Sequence, residues 1–172
     1  GIGGIDAIRK QLESSNAAKG KSEDARFWQP TADKVGTGQA MIRFLAAPQD
    51  NDYPFVEMYS HGYKNESNGK WYIENCPTTI GAKCPMCESN NELWNLGGQE
   101  NQDLVRARKR KKSYISNILV VNDPADPSNN GKVFLYKYGP KIFEFISNLA
   151  NPKFEDIHPV NAFDLWEGAN FR

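Results

Sequence analysis

All three cysteines of the chain, Cys76, Cys84 and Cys87, fall with His61 inside a window of 27 residues. No other feature limits the possible folds as strongly. The two-residue gap in Cys84-Pro85-Met86-Cys87 lets both sulfurs of one tight turn reach a single tetrahedral ion at about 2.3 Å. Cys76 and His61 flank the run Lys70-Trp71-Tyr72-Ile73-Glu74, so a short hairpin there would gather all four groups. The loops between them are small and polar, and metal-binding free energy becomes folding free energy in a segment with so little core of its own. Three cysteines cannot close a disulfide framework, which points to a reducing compartment.

Other uses of these residues fit less well. A thioredoxin-like pair at Cys84 and Cys87 calls for a βαβ context that the surrounding sequence lacks. Three buried free thiols beside an unrelated histidine would leave the spacing without a cause. Nucleotide deaminases hold a catalytic zinc with His-x-Glu and Pro-Cys-x-x-Cys, but here Tyr63 stands two residues after His61 and Lys83 precedes Cys84. Four protein ligands also close the coordination shell and leave no position for a reactive water. One structural Zn2+ on His61, Cys76, Cys84 and Cys87 is therefore the expected cofactor, while His158, between Ile157 and Pro159, reads as an ordinary loop histidine.

The formal charge is zero, from 21 basic and 21 acidic side chains, yet it is segregated. Arg106, Arg108, Lys109, Arg110, Lys111 and Lys112 lie between Leu104 and Asn122 with no acidic residue among them, so the rest of the chain carries minus six. A dense cationic strip on a balanced protein points to a local polyanion site, and a solvated basic face is the plain alternative. If residues 106–114 are extended, period two puts Arg106, Arg108, Arg110, Lys112 and Tyr114 on one face. In residues 132–138 the same spacing aligns Phe134, Tyr136 and Tyr138, with Lys137 facing the other way. Phosphates need cations and unstacked bases need ring faces, so a groove with both suits a single strand of nucleic acid. Core packing is the competing reading for each of these rings. Trp28, Phe44 and Trp71 are expected in the core, and Trp94 in an exposed loop where it could serve binding. No carboxylate pair, nucleophile triad, Walker loop or dinucleotide fingerprint occurs, which argues against an enzyme.

A chain of 172 residues corresponds to one domain. No stretch approaches the ~18 consecutive apolar residues of a membrane helix, and no signal peptide opens the chain, so a soluble protein is expected. Ile5, Ile8 and Leu12 predict an amphipathic helix, followed by a polar arm to residue 38. Strands are predicted over residues 40–45, 55–59, 70–74, 114–121 and 132–138, and Pro140 opens a helix carrying Ile142, Phe143, Phe145, Ile146 and Leu149. This pattern is mainly β with short helices. It fits a five-stranded OB-fold barrel with an inserted zinc-binding subdomain at about residues 60–98, preceded by the helix and arm at 1–38 and extending over 39–172.

Several stretches resemble one family closely. They are Gly38-Gln39-Ala40-Met41-Ile42-Arg43-Phe44-Leu45, Gly69-Lys70-Trp71-Tyr72-Ile73-Glu74, Ser113-Tyr114 through Asn117-Ile118-Leu119-Val120-Val121, Gly131-Lys132-Val133-Phe134, and Trp166-Glu167-Gly168-Ala169-Asn170-Phe171. They resemble the single-stranded DNA-binding, helix-destabilising proteins of T-even-type bacteriophages, from about Gly38 to the end. The resemblance implies an OB-fold with a zinc subdomain and non-specific binding of single-stranded DNA. It also implies roles in replication, recombination and repair in the cytoplasm of an infected bacterial host. The family's zinc ligands fall on His61, Cys76, Cys84 and Cys87, its cleft aromatics on Tyr114, Tyr136, Trp94 and Tyr138, and its basic-then-Ser motif on residues 109–113. Family tyrosines flanking the Cys-x-x-Cys are missing, and Arg106 and Arg108 are extra cations that could compensate. The family's basic N-terminal segment is not recognisable before Ile5, and the chain stops at Arg172 without the acidic tail. The resemblance thus implies a monomeric core with weak cooperativity on DNA, meeting replication and recombination proteins through termini beyond this sequence. A zinc-ribbon-like module contacting RNA or a transcription complex is the alternative function.

Overall fold

A computed structural model of the protein describes residues 24–47, 53–164 and 166–172. The helix expected around Ile5, Ile8 and Leu12 lies outside the described residues. The organising element is a long strand, β5 (Lys111–Asn122), in which Tyr114, Ser116, Ile118 and Val120 point inward and are buried while Asn117 and Val121 are exposed. This alternation is what period two predicts for a sheet covered on one face.

Strand β5 pairs antiparallel with β6 (Val133–Tyr138) from Tyr114↔Tyr138 to Leu119↔Val133. Its other edge is shared. The first half pairs with β3 (Val56–Lys64), from Val56↔Ile115 to Ser60↔Lys111. The second half pairs with β2 (Met41–Phe44), with a register shift between Met41 and Ile42. Strand β1 (Phe27–Trp28) lies parallel to β6, β7 (Asn170–Phe171) antiparallel to β2, and β4 (Trp71–Asn75) pairs only with β3.

The strand order β1-β6-β5-β2-β7 makes an open mixed sheet, and among the described residues no pairing closes it. The architecture is therefore mainly β with a few short helices, and closure into a five-stranded barrel is not observed. Both strands at the ends of this order are two residues long, and Pro30 lies just past β1 without an N–H to donate.

The core gathers Trp28, Ile42, Phe44, Tyr114, Ile118, Val120, Tyr136, Tyr138, Ile146 and Ala162. Helix α3 (Pro140–Ala150) caps it, with Pro at the start as expected and Ile146 buried. Trp28 and Phe44 are core residues as anticipated. Trp71 is not: it is 63% exposed. The reason is topological, since β4 pairs only with β3 at the margin of the sheet, and all five of its residues are exposed.

A buried polar contact ties the short first strand to the far end of β5. The Trp28 indole donates to Asp123 Oδ2 at 2.9 Å, and the same carboxylate accepts from Asn129 Nδ2 and from the backbone N–H groups of Ala125 and Asp126. Burial alone would push the Asp123 carboxyl up. The bonds from Trp28, Asn129, Asp126 and Ala125 outweigh it and hold the group below its ordinary value of 3.8. Asp123→Ala strands the indole donor and is expected to cost about 1–3 kcal/mol in urea unfolding. Because the folded value is depressed, the stabilisation is complete above the ordinary carboxyl value and is lost as pH falls below it. A wild-type advantage over Asp123→Ala that did not shrink on acidification would contradict this assignment.

Candidate metal centre and nucleic-acid interface

The four soft ligands arrive from three directions. His61 lies on β3, Cys76 follows β4 and precedes the 3-10 turn Pro77–Ile80, and Cys84 and Cys87 sit at the start of helix α1 (Pro85–Leu96). Two local devices bring the chain round. Gly81 ends the 3-10 turn at φ 74, a left-handed conformation that side chains resist. Pro85 fixes the first helical φ next to Cys84.

The ligand atoms all lie within 4.8 Å of one another. Cys84 Sγ is 3.3 Å and Cys87 Sγ 3.4 Å from His61 Nε2, and Cys76 Sγ is 3.7 Å from Cys87 Sγ. A tetrahedral zinc with bonds of about 2.3 Å to sulfur and 2.0–2.1 Å to nitrogen has edges of about 3.8 and 3.5 Å. These separations match it, and the three cysteines are not joined as disulfides.

Surrounding contacts prepare the donors. His61 Nδ1 is 2.9 Å from the Arg108 carbonyl; a carbonyl can only accept, so Nδ1 carries the proton and Nε2 offers its lone pair to the cluster. Burial pushes the Cys76 thiol up, but the Thr78 hydroxyl at 3.0 Å, the Thr78 backbone N–H and the neighbouring thiols bring it down to about 6. Cys87 is pushed up to about 12 by burial and by those same neighbours, Cys76 and Cys84. Cys76 and Cys87 are thus shifted in opposite directions, and a divalent cation is the partner that would let both shed their protons.

The structure changes the reading of the cationic strip. Residues 99–108 are not extended: they form helix α2 (Gln99–Arg108), and β5 begins only at Lys111. Gly97 and Gly98, at φ 71 and 86, separate α2 from α1. Glu100 in the first turn and Arg106 and Arg108 in the last complement the helix dipole. The basic composition masked a good helix. Arg106 pairs with Asp103 at 2.9 Å and lies 5.6 Å from the Trp94 ring. Trp94 is on α1 rather than in a loop, and is 46% exposed. Arg108 turns inward, donating to Asn90 Oδ1 at 2.6 Å and Ser89 Oγ at 3.0 Å, while its carbonyl holds His61.

The remaining four cations leave the metal unit and enter β5. Lys109 and Lys111 are exposed and make no ion pair among the described residues. The Arg110 guanidinium lies 4.1 Å from the Tyr59 ring centroid. Lys112 pairs with Glu57 at 3.0 Å and stands 5.5 Å from the Tyr114 ring. Tyr59 was not singled out by the sequence; its only signal was a ring two residues before His61.

Tyr114, Tyr138 and Tyr136 form a stacked row along the inner face, with centroid spacings of 5.8 and 5.5 Å. All three are buried, and Phe143 from α3 lies flat on Tyr114 at 3.9 Å with 2° between the planes. Burial pushes the Tyr138 phenol up to about 12 despite its bond to Ser116. Lys137 points outward between the two buried tyrosines. His158 is exposed in irregular chain, as expected.

The open sheet, the three-cysteine, one-histidine cluster and the cationic strand together define a metal-site-bearing, mainly β domain, and comparison with known proteins names the family. The family described as gp32 DNA binding protein like matches residues 36–172, and the chain belongs to it. It is 46% identical over 170 residues to the single-stranded DNA-binding protein of Enterobacteria phage T4, covering 95% of this chain and 54% of the relative. The protein of the same name from Enterobacteria phage T2 is 47% identical over 155 residues, covering 87% and 49%. A third, from Enterobacteria phage RB70, is 46% identical over 97 residues, 54% of this chain and 78% of the relative. The chain spans about half the length of the T4 and T2 proteins. No helix among the described residues is long and apolar enough to cross a membrane.

Chelation provides a direct check on the centre. Stripping the metal is expected to lower the thermal midpoint and to release amide exchange protection over residues 76–108, while β2 and β6 keep theirs. Uniform loss across all strands, or no loss, would contradict a local ordering role.

Proposed function

We propose that the protein is a sequence-non-specific single-stranded DNA-binding protein acting in phage DNA replication, recombination and repair, without a catalytic step. The observation that carries this reading is the passage of Lys109, Arg110, Lys111 and Lys112 from the metal unit into β5, directly beside Tyr59 and Tyr114. Arg110 and Lys112 thus meet the Tyr59 and Tyr114 rings, with Lys109 and Lys111 alternating beside them, which brings cations for phosphates next to rings for bases as a single strand requires. The names of the phage relatives support it. On this reading residues 39–172 are an OB-type core, and one zinc on His61, Cys76, Cys84 and Cys87 is structural. With four donors on one ion, no position remains for a reactive water. The working compartment is the cytoplasm of the infected host.

Bases stack on Trp94 and on Tyr114, with Tyr136 and Tyr138 continuing the row inward, each stack contributing about 1–3 kcal/mol. Phe143 covers Tyr114, so a base reaching that ring must displace it. Partner replication and recombination proteins are contacted by other parts of a longer protein, which also supply cooperativity.

Tryptophan and tyrosine fluorescence can test this with oligo-dT, equal-length RNA and duplex DNA at two salt concentrations. Oligo-dT is expected to bind best and to weaken steeply with salt. Equal binding of RNA would favour a zinc-ribbon-like RNA module, and equal binding of duplex would reduce the strip to an electrostatic patch. The double variant Lys109→Ala/Lys111→Ala should flatten the slope of log affinity against log salt by about 1.4, at about 0.7 per phosphate contact on a single strand. An unchanged slope would remove both lysines from the interface.

A further inference from the structure

Arg110 is fixed on two sides by neutral groups, and among the described residues it makes no ion pair. Its guanidinium lies 4.1 Å from the Tyr59 ring centroid, and its Nη1 donates to Thr78 Oγ1 at 2.7 Å. Thr78 Oγ1 is also 3.0 Å from Cys76 Sγ. The donor roles are consistent, because the hydroxyl can accept from arginine while giving its own proton to sulfur.

Tyr59 is itself held firmly. Its N–H donates to Thr79 Oγ1 at 2.9 Å, its carbonyl accepts from the Cys76 N–H at 2.8 Å, and it lies opposite Lys112 in the β3–β5 register. The ring is only partly exposed and the arginine covers it. Arg110 and Thr78 also line a recess of about 360 Å³, together with Asn90, Asn91 and Lys109. Two cations and several neutral polar groups face this space, with no carboxylate among them.

We propose that Tyr59 and Thr78 are positioning residues that seat Arg110 at this recess to receive a backbone phosphate of the bound strand. The inference rests on the single-stranded DNA reading above. A flexible arginine loses rotamer entropy when it engages phosphate, and a guanidinium already held over a ring and bonded to a hydroxyl has lost part of it beforehand. Because Thr78 also touches Cys76, the seat is continuous with the metal centre. Filling that centre and engaging a phosphate therefore order the same side chains.

The test is a double-mutant cycle on oligo-dT affinity, with the salt slope recorded for each protein. Arg110→Ala should flatten the slope by about 0.7, the loss of one phosphate contact. Tyr59→Leu and Thr78→Ala should each weaken binding roughly two- to fivefold, as expected for an exposed cation–ring contact. In the Arg110→Ala background both should be silent. Tyr59→Phe keeps the ring face and should restore wild-type affinity, and an abasic oligonucleotide should show the same Tyr59→Leu loss as oligo-dT. Metal content and thermal midpoint are read for each variant, and Thr78→Ala serves as the independent probe if Tyr59→Leu folds poorly. Losses that multiply with Arg110→Ala would overturn the inference, as would a Tyr59→Leu loss confined to base-bearing DNA, which would make Tyr59 a stacking surface. Failure of the unmodified protein to bind oligo-dT would overturn the DNA reading and this inference with it, a result distinct from normal binding with multiplicative losses.

Discussion

Three sulfurs and one imidazole nitrogen held within 4.8 Å of one another govern the geometry from β3 to the start of β5. All five residues of β4 are exposed, and the two helices that follow bury very little: Asn90 is the sole buried residue on α1, and none is buried on α2. Hydrophobic burial cannot hold such a unit in place. The polar contacts that leave the four-residue cluster tie it together instead, and a metal ion on that cluster, as proposed, would add the missing anchor. His61 grips the end of α2 through the Arg108 carbonyl, and Arg108 grips α1 through Asn90 and Ser89. The metal unit is a polar, ligand-centred structure placed against an aromatic-cored sheet.

That division of labour explains the placement of charge. The cations most available to a partner follow immediately after the residue whose carbonyl steadies the metal ligand, so their starting point is set by the cluster. From there β5 carries them into register with β3 and toward the tyrosine row. Glu57 offsets Lys112 at 3.0 Å, leaving Lys109, Arg110 and Lys111 as the more available positive charge. Charge, rings and metal thus belong to one continuous stretch of chain.

The sequence was most informative where chemistry imposes spacing. The four-residue cluster was legible because Cys-x-x-Cys and a flanking hairpin admit few alternatives, and the main strands were legible as β-rich or apolar runs at residues 40–45, 114–121 and 132–138, within a few residues of their observed bounds. Helix α2 was missed because a run of arginines and lysines says nothing about backbone state once tertiary contacts decide it, and period two was applied to residues that follow period 3.6. Trp71 was misplaced because composition does not reveal that a strand lacks a second layer. Tyr59 and Thr78 could not be found from sequence, since their importance lies in what crosses from β3 and the 3-10 turn to Arg110. Sheet closure was likewise beyond a strand count, because it depends on the reach of two edge strands only two residues long.

If the ligand cluster positions the cations that meet a single strand, oligo-dT affinity must differ between the metal-loaded and metal-stripped protein across a salt series. Stripping is expected to weaken binding and flatten the salt dependence, because the start of β5 and the seat of Arg110 lose their anchor. Identical affinity and identical salt slope with and without metal would contradict it.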